Sequence, residues 1–201
     1  MPLKFRPAEP RDADQAVPLI YSSGPAAFDY AFRRAGLTAQ GFLHAAFVDG
    51  AGMFGYPRHW VGELGGKVVA TGTGYSGEVN WRNMLSATRQ IMLCYGPISA
   101  LPVMYNGLQL EKIILPPPKQ TYYLAHLGVA ESMRGEGIGT RLVEHLLKLG
   151  RAAGFQRAAL DVAASNPQAQ ALYERLGFVV EDERVSHLTG IANHRFMTKS
   201  L

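Results

Sequence analysis

The segment that most restricts how this 201-residue chain can fold is Arg134-Gly135-Glu136-Gly137-Ile138-Gly139, three alternate glycines set between a β-prone run and an amphipathic one. Ahead of it, Tyr122 to Val129 reads as a strand. Behind it, Leu142, Leu146, Leu149 and Ala153 recur at steps of four, three and four, which predicts a helix over 139–153 ended by Gly154. Residues 158–162 then form a short apolar strand, completing a β-α-β unit with a right-handed crossover. A strand that stops in such a turn and opens a helix aims several unpaired N–H groups at one point, at the positive end of the helix dipole. Glycine at 135, 137 and 139 removes the Cβ atoms that would hold a large anion away, and Arg134 adds a cation nearby. The turn is therefore suited to a phosphate.

Elimination narrows the phosphate ligand. A P-loop needs Gly-Lys followed by Ser or Thr, which is absent. The dinucleotide fingerprint needs glycine at its first, third and sixth positions, but the sixth is Thr140 counted from Gly135 and Leu142 counted from Gly137. Asp161 does lie about where that fingerprint's ribose-binding acid would stand, so a nicotinamide-dependent oxidoreductase is weakened as a reading and not removed.

Elsewhere, residues 3–6 alternate like an edge strand and 12–21 follow as a helix. Residues 25–47 read as mainly helical, broken near Gly36 and Gly41, with Phe28, Tyr30, Phe32, Phe42 and Phe47 as core or as pocket lining. Residues 60–64 and 67–73 form a hairpin through Gly65-Gly66. Residues 77–120 read as an insertion of about 40 residues, with a helix over 80–94, a broken stretch through Pro97 and Pro102, and the stiff run Pro116-Pro117-Pro118. Asn166-Pro167 starts a further helix, Gly177 ends it, and strands over 178–180 and 194–199 pair at the C-terminus. One domain over 1–201 is the expectation.

Arg134, Gly137 and Gly139 match the hallmark of the GNAT superfamily of N-acetyltransferases, and the chain resembles that family in a second segment, Asn166-Pro167-Gln168-Ala169-Gln170-Ala171-Leu172-Tyr173-Glu174-Arg175-Leu176-Gly177-Phe178. The resemblance covers about 122–180 well and is absent over about 77–120. It implies an α/β (α+β) fold with a mixed central sheet, two splayed parallel strands and flanking helices. It further implies acetyl-CoA as co-substrate, with Arg134, Gly135, Glu136, Gly137, Ile138, Gly139 and Thr140 around the pyrophosphate. Main-chain groups of Leu127 and Val129 would then meet the pantetheine arm, Asn166 would bond it, and an N–H near Val129 would polarise the acetyl carbonyl. Tyr173 would protonate the departing thiolate, and the acceptor would be a primary amine of a small molecule or a protein. The base has no such assignment: His126, Glu63, Glu78 and an ordered water are all candidates. Strand alternation puts His126 with Leu124, opposite Tyr123 and Ala125, whereas relatives often carry the base at positions matching those two. A non-catalytic acyl-CoA-binding module keeps the same motifs and stands as the alternative.

Composition sets the outer bounds. A net charge of +4 with no basic run beyond Arg33-Arg34 speaks against nucleic acid. The histidines lack metal-ligand spacing, so no metal is expected. No run approaches ~20 uninterrupted apolar residues and the N-terminus lacks a signal-peptide core, which points to a cytoplasmic protein away from membranes. Cys94, the single cysteine, reads as buried and inert. A Pro-containing lobe and an exposed C-terminal strand each offer a surface for a homodimer.

Overall fold

Turn chemistry sets the N-terminal half of the sheet. Lys4–Pro7 (β1), His59–Leu64 (β2) and Lys67–Ser76 (β3) pair antiparallel in that order. Gly65 and Gly66 join β2 to β3 with φ of 60° and 78°, the two positive values that a tight hairpin of matching twist demands. The computed structural model describes residues 2–76 and 81–201, the side chains of 81–83 excepted; Glu78 lies outside the described residues.

Ala13–Ser22 (α1), Pro25–Phe32 (α2) and Ala39–Asp49 (α3) follow β1. The helical stretch breaks at Gly36, where φ is 81°, but not at Gly41. There the Thr38 hydroxyl accepts the Gly41 N–H at 3.0 Å, so Gly41 lies in the first turn of a capped helix rather than at its end. Helices α1 and α3 cover one face of the sheet, burying Val17, Ile20, Leu43 and Phe47 against Val61 and Val68.

Tyr122–Val129 (β4), Ile138–Ala152 (α5) and Arg157–Ala163 (β5) form the β-α-β unit, followed by Pro167–Arg175 (α6), Val179–Arg184 (β6) and His194–Ser200 (β7). Helices α5 and α6 bury Leu142, Leu146 and Tyr173 with Leu160 and Phe178 on the other face. The seven strands run in the order β1-β2-β3-β4-β5-β7-β6. Among the described residues only β4 and β5 are parallel; every other neighbouring pair is antiparallel. That is the expected mixed sheet, and a doubly wound dinucleotide sheet is not present.

Three expectations need correction. The C-terminal strand β7 is not an exposed edge: β5 and β6 pair with its two sides, and the edge is the charged strand β6. The stretch through Pro97 and Pro102 is not broken coil. Trp81–Leu110 (α4) runs helical through both prolines, kinked where Gly96 takes φ 70° and Pro97 restarts the helix without needing its missing N–H. Met84–Leu110 also has the length and mean hydropathy, 1.2, of a helix able to cross a membrane. A search for uninterrupted apolar runs overlooks it because Arg89, Gln90, Asn106 and Gln109 punctuate the stretch. Helix α4 packs Ile91, Tyr95, Ala100 and Val103 against Phe42 of α3 and Phe32 of α2. Its Cys94 is half-buried rather than buried, and burial pushes the thiol up.

An ion cluster pins β1 and β2 to the start of α1. Arg6 donates two bonds to Asp12, at 2.7 and 2.8 Å, and one to Glu63 at 2.9 Å, while Asp12 also accepts the Glu9 N–H. The Arg6 guanidinium holds the buried Asp12 carboxyl below its usual range. A depressed carboxylate stabilises the fold above its unfolded value, about 3.9, and loses that contribution as pH falls through the folded value. Asp12→Asn should therefore lower the unfolding free energy by about 2 kcal/mol at pH 7, the scale of hydrogen bonds to a charged group. Denaturant melts of both proteins should show the gap narrowing below about pH 4.

Candidate active site

Strands β4 and β5 start together and then separate. Tyr122 pairs with Ala158 and Tyr123 with Ala159, after which no pairing continues although β4 runs on to Val129 and β5 to Ala163. The far edges of both are taken, by β3 and β7, so a wedge opens with unpaired main-chain groups on its two walls. On β4 the Ala130 N–H points the other way, to the Val69 carbonyl of β3. Alternation then turns the N–H and C=O groups of Val129 and Leu127 toward the wedge. Such walls can pair with an extended ligand carrying amides of its own.

At the mouth of the wedge the chain turns into α5. Gly135 and Gly137 take φ of 85° and 73°, and nothing lies within 4 Å of where their Cβ atoms would be. The left-handed backbone is what excludes other residues there, and the open side is where a ligand has room. Gly137 caps α5 with no side chain bonded to the helix amides, so the N–H groups of Ile138, Gly139 and Thr140 keep their donor capacity. Gly139 faces inward, 3.3 Å by its would-be Cβ from Leu172 of α6. Arg134 and Glu136 are exposed at the rim. A diphosphate fits this turn, and a thiol-bearing arm extending from it fits the wedge.

Asn166 caps α6 by accepting the Ala169 N–H on Oδ1 at 3.1 Å, which commits its carbonyl and leaves its NH2 donors. Tyr173 packs edge-on against Phe178, and its hydroxyl makes no hydrogen bond among the described residues. Burial pushes that hydroxyl up to about 12, so it is a protonated donor at neutral pH. The sequence-predicted residues thus fall on the β4 wall (Leu127, Val129), the turn (134–140) and α6 (Asn166, Tyr173).

The base candidates separate sharply. Glu63 is tied to Arg6 at the β1–β2 edge, two strands from β4. His126 lies in β4, but not on the face that alternation assigns. His126 and Leu127 together oppose Gly72 alone, a β-bulge in which His126 takes φ 55°. Leu127 and Val129 thereby rejoin Tyr122 and Leu124 on the α5 face, while the imidazole turns to the α1–α3 face beside Phe28, Phe54 and His59. Gly128, next along, lets β4 approach α1: a Cβ there would lie 2.1 Å from the Leu19 carbonyl oxygen.

Two groups escaped the sequence reading. His59, at the start of β2, is fully buried and hydrogen-bonded to His126 at 3.0 Å; a lone histidine in a hairpin gives no signal of that. Asp161 is no ribose ligand. Its Oδ2 accepts from Tyr123 at 2.7 Å and its Oδ1 from Arg184 at 3.0 Å, and Arg184 also stacks on Phe196 and donates to the Ile113 carbonyl. Burial pushes the Asp161 carboxyl up to about 6 against the opposing pull of those partners. No group of three or more His, Cys, Asp or Glu suited to a metal occurs among the described residues.

The chain is similar to known proteins. The acetyltransferase (GNAT) family model matches residues 38–178. A 5-NmdU N-acetyltransferase of Pseudomonas phage PaMx11 is 40% identical over 60 residues, 30% of this chain and 41% of that protein. N-alpha-acetyltransferase 40 of Saccharomyces cerevisiae is 44% identical over 82 residues, 37% of this chain and 27% of that protein. Both matches span less than half of the relative. An N-acetyltransferase structure from Staphylococcus aureus Mu50 has the same fold, with a TM-score of 0.73 at 20% identity over 98% of this chain and 100% of that one. With its wedge, its glycine turn and a family model matched over well more than half of its length, the chain belongs to the acetyltransferase (GNAT) family.

Proposed function

We propose that the protein transfers an acetyl group from acetyl-CoA to a primary amine by direct attack within a ternary complex. The observation that carries this reading is the wedge between β4 and β5 ending at the α5 glycine turn, because one ligand with a diphosphate and an amide-bearing thioester arm satisfies both. In this reading the pantetheine arm lies along Leu127 and Val129, Asn166 contributes its NH2 donors, and the turn 134–140 holds the diphosphate. A main-chain N–H on the β4 wall polarises the thioester carbonyl and stabilises the oxyanion. The Tyr173 hydroxyl, kept protonated by burial, gives its proton to the departing thiolate.

The acceptor approaches from the α1–α3 face, where Phe28, Tyr75, Tyr123 and His126 line the sheet. The named relatives, a 5-NmdU N-acetyltransferase and an N-alpha-acetyltransferase, share acetyl transfer to nitrogen, which supports an amine as the acceptor.

A second copy of the chain is the partner we assign to α4. Ile98, Leu101, Tyr105 and Leu108 form one exposed stripe at steps of three, four and three, the spacing of a helix-packing seam, flanked by exposed Leu85 and Leu93.

Free thiol should appear when protein and acetyl-CoA meet a panel of primary amines; binding without thiol release would make this a binding module instead. Tyr173→Phe should lower turnover roughly 100-fold at unchanged acetyl-CoA affinity, and full turnover in that variant would remove Tyr173 from the chemistry. Leu101→Lys should convert a dimer to a monomer by light scattering, and a wild-type monomer would contradict the α4 interface.

A further inference from the structure

The bulge in β4 has a chemical result. It holds His126 at φ 55°, a conformation unfavourable for a residue with a Cβ, lays its ring against Phe54 with centroids 5.2 Å apart, and sets it nearly coplanar with His59, edge to edge, with centroids 5.2 Å apart and planes within 11°. Hydrogen bonding then fixes which nitrogen carries the proton. His59 Nδ1 lies 3.0 Å from the Gly55 carbonyl oxygen, which can only accept, so Nδ1 of His59 is the N–H. In a neutral ring its Nε2 is then the lone pair, and His126 Nδ1, 3.0 Å away, must donate to it. The lone pair of His126 is left on Nε2.

Among the described residues that atom is unengaged, on a side chain that is half-buried. His126 Nε2 makes no hydrogen bond among the described residues, and the buried side-chain polar atom that lacks a partner is a different one, His145 Nε2. The assignment needs neutral rings, and the surroundings supply that. Burial pulls His59 down to about 4 and His126 well below its ordinary value; the charged or titratable groups acting on the pair are the two imidazoles themselves and Arg58, beside His59, with no carboxylate among them. Asp161, the carboxylate bonded to Tyr123 on this face of the sheet, has both oxygens committed to Tyr123 and Arg184 and a side chain only 3% exposed.

We propose that His126 is the general base of the transfer, its Nε2 taking the proton that the attacking amine loses, with His59 as a positioning residue that fixes the tautomer. This rests on the acetyl-transfer reading above. The amine lone pair forms the C–N bond, the N–H bond breaks toward Nε2, and the C–S bond breaks as Tyr173 protonates the sulfur. His126 then releases its proton to water and Tyr173 regains one, leaving amide and free thiol with no further reactant.

The test uses three variants of the full chain, each compared with wild type in acetyl-CoA affinity by calorimetry and in amine acetylation. His126→Gly keeps a residue suited to positive φ and vacates the ring's space. Its kcat should fall on the order of 100-fold with acetyl-CoA affinity unchanged, and added imidazole should restore part of the rate. His59→Phe, which removes the acceptor for His126 Nδ1, should lower kcat about 10-fold, less than the ~100-fold loss of the base itself because the base is misoriented and not removed. His59→Gln, whose amide oxygen can take that place, should recover it. A His126→Gly protein that acetylates amines at the wild-type rate overturns the assignment of His126 alone. Wild-type protein that acetylates no amine overturns the transfer itself, and the base with it.

Discussion

The site depends on an interaction that stops short. Strands β4 and β5 share two residue pairs and then part, and what they leave is a cleft lined by main-chain donors and acceptors rather than by side chains. Backbone groups in that state need partners, and an extended ligand with amide bonds can supply them. The same departure directs the end of β4 into the glycine turn, so the wedge and the anion site are parts of one deviation from regular pairing. The rest of the sheet makes that deviation affordable. Antiparallel neighbours hold β4 through β3 and β5 through β7, and α5 and α6 bury Leu142, Leu146 and Tyr173 with Leu124, Leu160 and Phe178 on one face of the two strands.

A second irregularity, the β4 bulge, divides the labour between the two faces. Because His126 and Leu127 oppose a single residue, Leu127 and Val129 return to the α5 face while His126 crosses to the α1–α3 face. Main-chain groups of one short segment therefore meet the wedge as its histidine meets the opposite crevice. The glycines around it serve the same geometry. Gly128 lets β4 lie against the backbone of α1, and Gly72 leaves room opposite the bulge for Leu127. Burial completes the chemistry by keeping Tyr173 protonated and His126 unprotonated, the two states that an acid and a base need before reaction.

Much of this was legible in the sequence, for identifiable reasons. The turn 134–140 declared itself through glycine spacing, and α6 through Asn166-Pro167, because both depend on local backbone rules. The hairpin at Gly65-Gly66 was readable on the same ground. Three features were not. The face of His126 was assigned by strict alternation, and a bulge, which has no sequence signature of its own here, reverses it. His59 and Asp161 acquire their roles from partners 67 and 23 residues away, His126 and Arg184, contacts that a linear reading cannot see. Helix α4 was cut at its prolines because propensity disfavours them, whereas Pro97 begins a helical segment after the Gly96 kink and packing against α2 and α3 holds the remainder.

The central claim, that the turn and the wedge together hold one diphosphate-linked thioester, is tested most directly by calorimetry with acetyl-CoA and with acetyl-pantetheine, which has the arm without the diphosphate. Micromolar binding of acetyl-CoA and binding at least 100-fold weaker for the fragment is the expected result, since a charge-assisted diphosphate site is worth several kcal/mol. Equal affinities, or no association with acetyl-CoA at all, would contradict it.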